Sequence, residues 1–185
     1  MPRLILTLFA LLFYFYAQII LATEIKQVQI NRYDNYYELS ADIDYQLSNP
    51  AKKALENGVP LFWNLHIKVL EQRDYWWAKT LSEIQINYRL QYHALLNMYR
   101  VVIIQPNNEF KTYNFSTLSA ALDLMSNLQH LTLINAEQLN SNKHYIVKIK
   151  AEFDTDALPL PLRPIAYTHP QWYLSSDWTT WQLKK

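Results

Sequence analysis

A chain of 185 residues, 50% hydrophobic and 18% charged, is long enough for one domain with a full core and too apolar for disorder. Its formal charge of +1 leaves no electrostatic footprint for nucleic acid. The absence of cysteine excludes disulfides, thiol catalysis, Cys-ligated metal sites and an acylated lipoprotein cysteine, and the single glycine, Gly58, excludes a Rossmann fingerprint, a P-loop and a Gly-x-Ser-x-Gly elbow.

After Pro2 and Arg3 comes an apolar run over residues 4–22, interrupted only by Thr7 and Gln18. A positive start followed by such a run is the secretory pattern. Residues 1–22 are therefore expected to be a signal peptide cleaved after Ala22, or an uncleaved membrane anchor. The anchor reading arises because Ile20 fits poorly three residues before the cut, and because the run approaches the ~20 residues that span a bilayer. With Arg3 kept in the cytoplasm, both readings export residues 24–185 as a single domain.

Alternation with period two dominates the exported part. Val28 and Ile30 alternate with Gln27, Gln29 and Asn31. Then Tyr37, Leu39, Ala41, Ile43, Tyr45 and Leu47 alternate with Glu38, Ser40, Asp42, Asp44 and Gln46. Tyr33, Asp34 and Asn35 lie between the runs and read as a hairpin turn. Asn49 as a cap and Pro50 at the first position open a short helix with Ala51, Ala54 and Leu55 inward, and Gly58 is its left-handed stop. Leu61, Trp63, Leu65, Ile67 and Val69 share one face of a strand. Ile84, Ile86, Tyr88, Leu90 and Tyr92 share a face of the next. Residues 99–105 are a more fully apolar run, expected to be central.

The period then changes. Leu118, Ala121, Leu122, Met125 and Leu128 recur at helical spacing behind Ser116 as a cap. Residues 132–139 read as a weak strand or a short helix, and Tyr145, Val147, Ile149, Ala151 and Phe153 as a clean strand. Three prolines over residues 158–164 predict an extended, polyproline II-like segment. Residues 172–183 read as a last strand or hairpin. About seven or eight strands with one amphipathic helix and short helical connections predict a mainly β fold, an immunoglobulin-like or related antiparallel β-sandwich.

Several segments carry a family resemblance: Leu55-Glu56-Asn57-Gly58-Val59-Pro60-Leu61, Arg73-Asp74-Tyr75-Trp76-Trp77, Tyr88-Arg89-Leu90-Gln91-Tyr92-His93-Ala94-Leu95, Tyr99-Arg100-Val101, Leu158-Pro159-Leu160-Pro161-Leu162-Arg163-Pro164, and Trp172 with Ser175-Ser176-Asp177-Trp178. In this order and spacing the chain resembles the exported bacterial family known as domain of unknown function 4390. The resemblance implies an envelope location and brings no activity. It also implies an association, since members tend to be encoded near a membrane sensor kinase of the nitrogen-regulation type.

The five histidines lie far apart, with no His-x-x-x-His or Glu-x-x-His spacing, so no metal site is expected. Asp42 with Asp44, and Asp154 with Asp156, have the composition of an acid/base or calcium site. They read more simply as the wet face of a strand and the start of a turn. Ser175, Ser176 and Asp177 lack a positioned base and read as a loop or cap. No catalytic group and no cofactor are expected. The aromatic excess, 14 Tyr and 6 Trp, is the stronger signal. Neighbours on a strand face opposite ways, so one of each adjacent pair should leave the core. Tyr36, Trp76, Trp77, Arg163, Trp172, Trp178 and Trp181 are the expected interaction surface. The function expected is that of an exported, non-catalytic interaction module in the periplasm. Its partner would be another envelope protein, such as a sensor's external domain. The alternative is a sandwich that binds carbohydrate or peptidoglycan. Membrane contact is expected only through residues 4–22 if they are retained.

Overall fold

A computed structural model of the chain describes residues 23–73, 77–107 and 109–184. The strands are β1 (Glu24–Tyr33), β2 (Tyr36–Asp44), β3 (Leu61–Glu71), β4 (Lys79–His93), β5 (Met98–Ile104), β6 (Phe110–Phe115), β7 (Asn127–Asn135), β8 (Tyr145–Phe153) and β9 (Thr179–Gln182). The helices are α1 (Asn49–Glu56), α2 (Leu118–Ser126) and α3 (Arg163–Thr168). Every strand pairing is antiparallel. One sheet has the order β1-β2-β7 and the other β6-β5-β4-β3-β8-β9. The protein is therefore mainly β, with two antiparallel sheets and few helices.

Period-two burial builds the core. On β3, Leu61, Trp63, Leu65, Ile67 and Val69 are almost fully buried, and the intervening Phe62, Asn64, His66 and Lys68 are half-buried on the outer face. Tyr37, Leu39, Ala41 and Ile43 of β2 face the same core from the small sheet. Both inner faces belong to one continuous cluster. Burying alternate side chains fixes the register, because a one-residue slip would turn every apolar group to water.

The expected strand over residues 99–105 is β5, and it lies second from an edge instead of at the centre. Its continuous apolar character arises because Val102 and Ile104 stay half-buried on the outer face. β6, which no alternation announces, pairs outside it, and its residues from Phe110 to Asn114 are exposed.

Local signals act at or beside the expected positions. Ser48, not Asn49, caps α1, its Oγ accepting from the N–H of Ala51 at 3.4 Å. Thr117, not Ser116, caps α2. Gly58 has φ +82°, its N–H donating to Leu55 O and that of Val59 to Ala54 O. That pair of bonds is the Schellman stop that favours glycine. Residues 158–164 are not extended. They turn, with Leu162 N–H on Pro159 O, and enter α3 with Pro164 in its first turn. Proline is tolerated there because the helix asks for no N–H at that position.

The outer strands of the small sheet are each bulged. Gln27 on β1 (φ 48°) and His130 on β7 (φ 50°) lie where one extra residue enters the pairing with β2. These two bulges fall opposite the same stretch of β2, around Ser40 and Ala41, so the two strands bend at one level, and β7 carries a second irregularity opposite Tyr37 and Glu38.

Candidate functional site at the hairpin end

The strand directions give the sandwich two different ends. α1, α3, the β4–β5 turn (residues 94–97) and the start of β1 lie at one. The β1–β2 and β3–β4 hairpins, residues 136–144 and the C-terminal residues lie at the other. Backbone bonds knit this hairpin end together. The N–H of Ala136 donates to Asn35 O at 2.7 Å, and that of Gln72 to His144 O at 2.9 Å. The N–H of Leu183 donates to Tyr145 O, and the Tyr145 hydroxyl accepts from the N–H of Asn140 at 2.8 Å. Three connections from different parts of the chain are thereby held in one surface.

Large rings stand out from that surface. Trp77 is 93% exposed, and Tyr33 and Tyr36 flank the Asp34–Asn35 turn at 71% and 47%. Tyr37, adjacent to Tyr36, is buried, as expected for neighbours on a strand. At the same end is a cleft of about 340 Å³, rimmed by Gln72, Ser141, His144, Gln182 and Lys184. Below it the buried carboxylate of Glu71 accepts from Lys143 Nζ at 2.7 Å and Arg73 Nε at 3.3 Å. The Lys143 bond, then the Arg73 bond, hold the Glu71 carboxyl below its ordinary range against the opposing effect of burial.

Two other carboxyls are lowered: Asp44 by Gln46 and then Lys26, and Glu152 chiefly by Lys150. In the unfolded chain all three take up protons at a higher pH than in the fold. Their stabilising effect is thus complete at neutral pH and is lost as pH falls through the folded values. The thermal midpoint is expected to drop between about pH 5 and pH 3. Differential scanning calorimetry at these pH values checks this, and Glu71→Gln should flatten the slope.

The other expected surface residues do not converge here. Trp178 is 43% exposed on the outer face of the large sheet, with Lys68 Nζ 5.7 Å and the His66 ring 6.4 Å from its ring. Trp181 is half-buried against the core. Arg163, at the opposite end, donates from Nε to Leu158 O at 2.7 Å. Trp172 is not a surface residue: it is buried and packs against Phe153, because residues 170–172 fold into a turn beside α1. Trp76 lies outside the described residues. Tyr33 escapes sequence reasoning because it reads as a turn residue. Its signal is an aromatic ring placed directly at a hairpin tip.

The carboxylate pairs are committed elsewhere. Asp42 is exposed, Asp154 accepts from the N–H of Ala157 in a turn, and Asp156 accepts from the Tyr167 hydroxyl. Ser175 and Ser176 accept backbone N–H groups of β8. Among the described residues, no three of His, Asp and Glu are grouped so as to hold a metal ion. No helix among them is long and apolar enough to cross a membrane.

The molecule is thus an antiparallel two-sheet protein whose two most exposed rings among the described residues, Trp77 and Tyr33, lie at the hairpin end. Over residues 22–182 the chain matches the family Domain of unknown function (DUF4390), and it belongs to that family. No curated protein and no solved structure matches it significantly.

Proposed function

We propose that this protein is an exported, non-catalytic interaction module of the cell envelope, acting in the periplasm on another envelope protein. The external domain of a membrane sensor fits this role. The observation that carries the reading is the tethered hairpin end, where Tyr33, Tyr36 and Trp77 are exposed. Exposed Tyr and Trp bury large area at little entropic cost, and such rings dominate binding energy where they seat in a partner. The backbone bonds from Ala136 to Asn35 and from Gln72 to His144 lower the ordering cost of docking at this end.

A photo-crosslinking residue placed at Trp77 in living cells is expected to capture one envelope protein, while the same residue at Lys111 captures none. The triple change Tyr33→Ser, Tyr36→Ser, Trp77→Ser should weaken that capture at least tenfold, about 1.4 kcal/mol or more. The unfolding midpoint should barely move, because exposed positions contribute within about 0.5 kcal/mol. Equal capture from both positions would count against the reading.

Glycan stacking is the second reading, and Trp178 is its best platform. Lys68 already lies over that ring. Glycan-induced change in tryptophan fluorescence, abolished by Trp178→Ala, would favour it.

A further inference from the structure

The exposed aliphatic side chains are not spread evenly between the two ends. At the hairpin end Tyr33, Tyr36 and Trp77 are exposed, and Phe110 opens the edge strand β6. Every exposed leucine or isoleucine among the described residues, namely Leu95, Leu96, Leu160 and Ile165, belongs to the opposite end. Leu95 and Leu96 form the tip of the β4–β5 hairpin, where Asn97 takes φ 50° and the Tyr92 hydroxyl donates to its side chain at 2.8 Å. Leu160 and Ile165 lie on the turn before α3 and on α3 itself, next to Tyr167. Water-exposed aliphatic side chains at the tips of well-formed turns gain nothing from the fold, which places their stabilising contact outside it.

The sequence ahead of β1 indicates what that contact is. β1 starts at this same end: Thr23 Oγ1 donates to Leu174 O at 2.6 Å, and Trp63 Nε1 donates to the same carbonyl. Immediately before Thr23 comes the apolar stretch over residues 4–22, close to the ~20 residues that match a bilayer's hydrocarbon thickness. The exposed Lys52 and Lys53 of α1 add cations at this end, suited to anionic headgroups. We propose that the end capped by α1 and α3 rests on a lipid bilayer, with Leu95, Leu96, Leu160 and Ile165 entering the boundary between headgroups and acyl chains. Tyr167 and the nearby Tyr173, both about half exposed, sit at headgroup level, where rings with one polar edge are favoured. The hairpin end then points away from the membrane.

Because the chain contains no cysteine, single-site labelling tests the proposal directly. Leu96→Cys, Ile165→Cys and, as the control at the far end, Asn35→Cys are each labelled with an environment-sensitive dye. The full 185-residue chain is reconstituted in vesicles of phosphatidylethanolamine and phosphatidylglycerol. Labels at Leu96 and Ile165 are expected to shift to the blue and to lose at least half their emission to quenchers attached to lipid chains. The label at Asn35 should do neither. Labels at Leu96 and Ile165 that remain water-like overturn the proposal. So does a blue shift without lipid quenching, which would mean that a second copy or another protein covers this end. Failure of the hairpin-end capture would leave this result untouched, since the two tests read opposite ends.

Discussion

Trp63→Ala is expected to lower the unfolding free energy by about 4 kcal/mol, within the range for deleting a buried large aromatic. Trp63 is fully buried at the start of the central strand β3, with the rings of Tyr45 at 5.7 Å and Phe153 at 5.0 Å. Its removal leaves a cavity between elements from three parts of the sequence, which cannot close in concert. The Leu174 carbonyl keeps its bond from Thr23, so little of the loss should come from an orphaned acceptor. A domain whose whole stability lies in the range of about 5–15 kcal/mol would be left marginal. Urea unfolding checks this as a lowered midpoint with an unchanged slope. Trp63→Phe should lose less than Trp63→Ala. A loss under about 1 kcal/mol for alanine would show that the ring does not organise this core.

Ser176→Ala is expected to lose about 1–3 kcal/mol, a large effect for removing one oxygen. β9 pairs with β8 only from Ile146 to Ile149. Beyond it, Ser176 takes over the edge: its Oγ accepts from the N–H of Ala151 at 2.9 Å, and its own N–H donates to Ala151 O at 2.7 Å. Ser175 Oγ does the same for the N–H of Phe153. Ala151 and Ser176 are both buried, so without the hydroxyl the Ala151 N–H faces no acceptor and little water. Hydrogen exchange should show the Ala151 amide losing protection along with global stability. Ser116→Ala on the exposed surface should move neither. An unchanged Ala151 exchange rate in Ser176→Ala would refute the assignment.

Much of this fold is legible in the sequence because one face of each long strand is dry. Alternation in β2, β3, β4 and β8 can be read directly, as can the inward placement of Tyr45, Trp63 and Tyr88. β6 cannot, because an exposed edge strand has no dry face to impose a pattern. Helix caps are displaced by one residue for a chemical reason: Ser48 and Asn49, like Ser116 and Thr117, are adjacent and equally able to cap. Residues 158–164 mislead because proline forbids a helix interior but not a first turn. The candidate site is half legible. Adjacent rings correctly point to Tyr36 leaving the core, but Trp172 obeys no strand phase, since its turn packs against α1 through contacts far apart in sequence. Leu95 and Leu96 escape notice because turns carry no expectation about side-chain polarity, whereas two leucines in succession at a hairpin tip are themselves a signal.

The paired kinks at Gln27 and His130 bear on how this molecule avoids its own kind. A three-stranded sheet has two raw margins, each an invitation for a neighbouring chain to dock by main-chain bonds and so propagate a fibril. Here both margins are bent out of line at the same height, and at one of them the His130 amide is turned back to the Ser40 hydroxyl. Stacking by strand addition would need both margins to straighten together. Strand addition at these two margins is thereby disfavoured, which leaves β6, the exposed edge of the larger sheet, as the straighter margin.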